Sequence, residues 1–140
     1  MGAYNKLYLE DASDLQEMLF EEVAKENKCD FGHFVDGYMN CKYRHLIDIG
    51  NPRVINMTWD ELWMYLRMSC AEIFIPGERD IDTLQAGWIG RMYNILQFNA
   101  DVSSVEIYKR IDYKHMQVLF SPLHTVSEEV ALEKLLPLVR

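Results

Sequence analysis

The chain has 140 residues and 16.5 kDa, with a formal net charge of −8 and an apolar content of 49%, including 12% aromatic residues. That apolar load excludes a disordered chain, and only 7 glycines and 4 prolines exclude a collagen-like one; the length suffices for one domain, residues 1–140, that folds without a metal or a disulfide. Twenty-two acidic against fourteen basic side chains disfavour direct nucleic-acid binding, whose affinity comes mainly from Lys and Arg.

Helix signals recur along the chain. Leu15, Met18, Leu19 and Val23 fall at helical spacing, with Ser13 and Gln16 as a possible capping box and Leu7 and Leu9 pointing to an earlier start. Asp30 has the character of an N-cap for a segment through Phe34, Tyr38, Tyr43 and Ile47, bent near Gly37 and stopped at Gly50 ahead of Pro52. Arg53 to Met57 and Ile73 to Ile75 read as extended connectors. Thr58 and Glu61 form the clearest capping box, opening a helix to Cys70 or Ile73, and Pro76-Gly77 marks a turn. Asp80 or Asp82 starts a helix with Leu84, Trp88, Met92 and Leu96 on one stripe. Ser103 and Glu106 make a third box, a short helix near Tyr113 to Leu119 is broken by Ser121-Pro122, and Thr125 and Glu128 make a fourth box. The expected fold is therefore all-α, a compact bundle of six to eight helices with one minor extended pairing as the only competing feature.

Charge is unevenly placed. Residues 1–30 carry eight acids (Glu10, Asp11, Asp14, Glu17, Glu21, Glu22, Glu26, Asp30) against Lys6, Lys25 and Lys28, a local −5. Residues 103–115 set Lys109, Arg110 and Lys114 against Glu106 and Asp112, a local +1. A solvated helix face explains the acidic stretch, and a partner with a basic surface is the sharper explanation. The three cysteines are odd in number and far apart, acids interrupt the first twenty residues, and no apolar run is long enough for a membrane span. The expectation is a cytoplasmic protein with reduced thiols.

Few constellations carry chemistry. Cys29-x3-His33 and Cys41-x3-His45 supply the ligand types of a tetrahedral zinc site, but the cysteines are not closely paired and Cys29 precedes the expected cap; buried thiols and surface or capping histidines explain them better, so no metal is assigned. No nucleophile elbow, phosphate loop, metalloprotease or dinucleotide-binding motif occurs, so no catalytic residue and no cofactor is assigned. Ser121 and His124 lie close in sequence, which a helix break explains equally well. Residues 103–119 resemble a helix-turn-helix with Lys109, Arg110, Lys114 and His115, against which stand the absence of a turn glycine and the overall acidity.

Two segments stand out. Trp59 to Phe74 has only Asp60, Glu61, Arg67 and Glu72 as charges, so the helix is either central to the core or pressed against another chain. Trp59, Trp63 and Met64 are its candidate contact residues, with Glu17 and Glu21 as acidic steering groups. Ala86-Gly87-Trp88-Ile89-Gly90-Arg91-Met92-Tyr93 places two glycines inside a helix, at a cost of about 1 kcal/mol each relative to Ala. Close approach of another helix across Ala86 and Gly90 would offset that cost; the alternative is a ligand groove formed by Trp88, Arg91 and Tyr93.

Ile49-Gly50-Asn51-Pro52-Arg53, followed by Ala86 to Tyr93 and by Ser103-Ser104-Val105-Glu106-Ile107-Tyr108, resembles a group of small uncharacterised bacterial proteins from toxin–antitoxin-like gene clusters. The resemblance implies an antitoxin-like or accessory partner protein and brings no catalytic residues. The functional expectation is a non-enzymatic, acidic interaction module, antitoxin- or immunity-like or regulatory, that occludes a partner protein's surface, with homo-oligomerisation as a further option. The alternative is a small-ligand or enzymatic domain using the Trp88, Arg91, Tyr93 groove.

Overall fold

The computed structural model describes residues 4–26, 29–78 and 81–140. Among them it is an all-α bundle of nine helices: α1 (Leu9–Lys25), α2 (Phe31–Met39), α3 (Lys42–Asp48), α4 (Pro52–Ile55), α5 (Trp59–Ser69), α6 (Thr83–Ala100), α7 (Ser104–Arg110), α8 (Tyr113–Leu123) and α9 (Glu128–Val139). Short 3₁₀ turns precede α1, at Lys6–Tyr8, and follow α5, at Ala71–Ile73. No helix among the described residues is long and apolar enough to cross a membrane.

Most helix starts are where the cap chemistry places them. The Asp30 carboxylate accepts from the His33 amide at 3.0 Å, Asp82 from Gln85 at 2.8 Å, and Ser103 from Glu106 at 3.2 Å. Thr58 and Glu61 close the reciprocal box that opens α5. Gly50 ends α3 with φ 75°, the left-handed conformation that favours glycine, while the Asn51 amide reaches back to the Leu46 carbonyl at 2.9 Å. The alternative start at Asp80 lies outside the described residues, as does Lys28.

Several expectations are corrected. Ser13 and Gln16 are not a cap; both are buried within α1, where Ser13 Oγ accepts from Asn94 Nδ2 at 3.0 Å and Gln16 Oε1 accepts from the Tyr38 hydroxyl at 2.6 Å. The segment after Asp30 is two helices parted at Asn40-Cys41, and the connector at Arg53 includes the one-turn helix α4, with Asn51 as N-cap and Pro52 at the first position, where its missing N–H costs nothing. These splits raise the count above eight. No strand forms among the described residues; the extended pairing reduces to one bridge, Cys29 with Pro76, beside an Asp30 amide to Ile75 carbonyl bond of 2.9 Å. Finally, α8 continues through Pro122 to Leu123, and Ser127 rather than Thr125 caps α9, accepting from the Val130 amide at 3.2 Å. Pro122 sits in the last turn, which limits its disruption of the helix.

The centre of the bundle is α6. It packs along α1 and is flanked by α9, α8 and α7. The two helical glycines permit the α1 approach: a Cβ on Gly90 would lie 2.7 Å from the Gln16 carbonyl oxygen and 2.6 Å from Phe20 Cγ, and one on Gly87 would lie 2.8 Å from Glu21 Cγ. Ala86, fully buried beside them, belongs to the same seam. Close packing thus offsets the helix-propensity cost of Gly87 and Gly90. Above the seam, Phe20, Phe31, Phe34 and Tyr38 form an aromatic cluster, with Phe20 edge-on to the other three at centroid separations of 5.4–5.8 Å.

One charged pair is sealed inside. Arg44 is 1% exposed, and its Nε donates to Asp48 at 3.2 Å and to Ser104 Oγ at 2.8 Å. The Ser104 amide and hydroxyl both donate to the Asp48 carboxylate, at 2.7 and 2.6 Å. This triad ties α3 to the start of α7. Removing one partner would strand a charge in a poorly solvated interior.

Candidate interaction surface

The acidic stripe of α1 divides into two sets with different surroundings. Glu10, Asp14, Glu17 and Glu21 recur three or four residues apart and so share one helix face, which turns toward α6. Three of them converge on Arg91: Nη2 donates to Glu10 at 2.6 Å, and Nη1 donates to Asp14 at 2.6 Å and to Glu17 at 3.3 Å. From α9, Glu128 accepts from Arg91 Nε. Arg91 is only 8% exposed. Burial works against its charged form, but the hydrogen bonds it donates to Glu128, Glu10 and Asp14 outweigh burial and hold the guanidinium protonated more firmly than in water. Glu21 packs against Gly87, and burial, reinforced by the nearby Glu17 charge, raises its carboxyl above the usual range.

Trp88, Arg91 and Tyr93 accordingly do not line one groove. Trp88 stands edge-on to Phe120 at 5.4 Å, Arg91 is enclosed by four carboxylates, and Tyr93 is fully buried with its hydroxyl donating to the Ile111 carbonyl at 2.8 Å. An arginine already surrounded by four anions is not offered to an anionic ligand.

The other acidic set, Glu22 and the C-cap residue Glu26, lies at the end of α1 and faces α5. With Lys25, Trp59, Asp60, Trp63 and Met64 these residues line an open cleft of about 430 Å³. Of α5 only Leu62 and Leu66 are buried; they anchor the helix, while Trp59 and Trp63 are half-buried and Met64 and Met68 are 52% and 73% exposed. The helix is thus neither central nor apolar inward on every side. The two indoles meet edge-on at 6.3 Å, and Trp63 stacks on Phe74 at 5.9 Å with the planes 18° apart. Arg67 lies over the same two rings, 5.3 Å from the Trp63 centroid and 4.6 Å from that of Phe74. Lys25 is held at 2.8 Å from Glu22, an exposed pair of small energetic weight. Asp60, at the helix start, accepts hydrogen bonds from Thr58 and from the first backbone amides, which hold its carboxyl below the usual range.

The candidate residues Trp59, Trp63 and Met64 therefore share one surface, whereas Glu17 and Glu21 lie elsewhere. The acids beside the aromatic patch are Glu22, Glu26 and Asp60. Their signal was present in the spacing, because Glu22 and Glu26 are one turn apart, as are Trp59 and Trp63; which acidic face meets which aromatic face is a tertiary matter.

Cys29, His33, Cys41 and His45 are not gathered into a ligand set, and among the described residues no group of three or more His, Cys, Asp or Glu side chains is placed to hold a metal ion. His33 Nε2 contacts the Glu72 carbonyl at 2.9 Å, Cys29 and Cys70 are buried, and burial pushes the Cys41 thiol up to about 11. His124 uses Nδ1 on the Phe120 and Ser121 carbonyls, at 2.8 and 3.1 Å, and stacks on the Phe120 ring at 4.1 Å. It is a helix-end group rather than a base for Ser121. Of the basic residues near 109–115, Lys109 pairs with Glu106 at 3.2 Å, and the His115 amide is capped by Asp112. Comparison with known proteins gives no matching family model, no matching curated protein and no matching solved structure.

Proposed function

We propose that the protein is a non-catalytic interaction module whose binding surface is the outward face of α5 with the adjoining end of α1. The observation that carries this reading is the pair of half-buried indoles, Trp59 and Trp63, flanked by exposed Met64 and by the carboxylates Glu22, Glu26 and Asp60. Tryptophan and methionine are enriched at the centres of protein interfaces, and a polar acidic rim accelerates encounter with a basic partner. The mode of action is occlusion: the module covers a partner's working face, as an antitoxin, an immunity protein or a regulatory subunit does. The four acids around Arg91 do not contribute much to that steering, because their charge is partly neutralised within the fold.

The test is affinity capture from the native cell with wild-type protein, Trp63→Ala and, as a remote control on another exposed apolar residue, Leu84→Ala. The expected outcome is a specific partner held by wild type and Leu84→Ala and lost by Trp63→Ala. A partner retained equally by all three would place the interface elsewhere.

A further inference from the structure

The chemistry of the α1–α5 cleft narrows the partner. Its wall is two indoles and a thioether, its rim three carboxylates, and the one ammonium among its described lining residues is already bound to Glu22. Among the described residues, no cation lies within ion-pair distance of Glu26 or Asp60. An aromatic wall with carboxylates at its edge attracts a cation that also presents a flat apolar face. The guanidinium has that shape, and it is more weakly hydrated than an ammonium, so it loses less on leaving water. The same chain shows the mode next door, where Arg67 covers the Trp63 and Phe74 rings. That neighbouring cleft, about 360 Å³ and lined by Glu26, Cys29, Arg67, Phe74, Ile75 and Pro76, shares Glu26 with the first. The surface is therefore long enough for a segment of several residues rather than a lone side chain.

We propose that the cleft receives an arginine side chain from an apolar-flanked segment of the partner protein, with the guanidinium against Trp59 and Trp63 and with Glu26 and Asp60 as its counter-charges. This assignment rests on the reading of α5 as the binding surface.

The experiment is a titration of the full chain, followed by the indole N–H resonances of Trp59 and Trp63, with the capped peptide Gly-Leu-Arg-Leu-Gly. Its counterparts carry citrulline, which keeps the shape and removes the charge, or lysine. Saturable shifts of both indoles are expected with the arginine peptide, with affinity about tenfold weaker for citrulline and several-fold weaker for lysine. Glu26→Gln and Asp60→Asn, both at exposed positions, should each weaken arginine binding about threefold while leaving the rest of the spectrum in place. Equal affinity for the citrulline peptide, tighter binding of lysine, or shifts confined to other residues would overturn the proposal. So would a Trp63-dependent dimer in sedimentation, which would make a second copy of the chain the occupant. The two readings fail separately: a partner captured through Trp63 but indifferent to Glu26→Gln and Asp60→Asn retains the interface and discards the arginine.

Discussion

Helices α5 and α6 both carry Trp, Met, Leu and Tyr side chains and meet opposite fates. From Ile89 to Phe98 every residue of α6 is buried, including Arg91, Asn94 and Gln97, whereas α5 buries only Leu62 and Leu66. The difference is one of backbone access rather than apolar content. Gly87 and Gly90 let α1 approach α6 to backbone contact, and α7, α8 and α9 close the remaining sides. The α5 helix has no glycine or alanine to admit a neighbour at that distance, so its bulky aromatics hold it at the rim and part of their surface remains in water. Apolar density in a sequence thus identifies what needs covering, while small residues identify where the covering comes from.

The sharpest way to break this comparison is to truncate methionine in each helix. Met92 in α6 is fully buried, and Met92→Ala should cost about 3 kcal/mol in denaturant unfolding; Met68 in α5 is mostly exposed, and Met68→Ala should change stability by less than about 0.5 kcal/mol. Similar costs would mean that α5 is covered. A middle-sized effect is expected from Arg91→Met. It keeps much of the buried volume but leaves Glu10, Asp14, Glu17 and Glu128 to repel one another, and these carboxylates are 37–70% exposed, so solvent moderates the loss to about 1–2 kcal/mol. Added salt should recover part of it, as read from the shift in unfolding midpoint. The smallest effect has the opposite sign. The Glu21 carboxyl is raised in the fold by burial and by Glu17, so the folded chain binds its proton more readily than the unfolded chain does. Its contribution therefore favours folding at acidic pH and weakens as pH rises through the unfolded and then the folded value. Glu21→Gln should stabilise the protein slightly at neutral pH and flatten that part of the stability–pH curve; an unchanged curve would show that Glu21 is solvated.

Much of the local structure is readable from single residues, because a cap involves groups only two or three positions apart. Asp30, Gly50, Thr58 with Glu61, Asp82 and Ser103 all act as their types suggest. Where a capping-box spacing does not form a cap, a nonlocal partner holds one of its side chains. Ser13 and Gln16 have the spacing of a box, but Asn94 and Tyr38 hold them. Thr125 and Glu128 have it too, but Glu128 reaches Arg91, and Ser127, nearer the helix, takes the cap. Trp59, Trp63 and Met64 fall on one surface because they are close in sequence. Glu17 and Glu21 lie apart from that surface, because adjacent residues such as Glu21 and Glu22 turn about 100° apart on a helix and meet different neighbours.

The sequence by itself therefore determined an all-α chain, several of its helix starts, and the glycine seam that calls for a tightly packed partner helix. Those features rest on backbone chemistry within one or two turns and on the cost of Gly in a helix. Only the tertiary structure decided that four carboxylates enclose Arg91, that α5 lies at the rim, and that Glu22, Glu26 and Asp60 border its indoles. Each of those depends on groups far apart in the chain meeting across packed helices, and no spacing rule along one helix contains that distance.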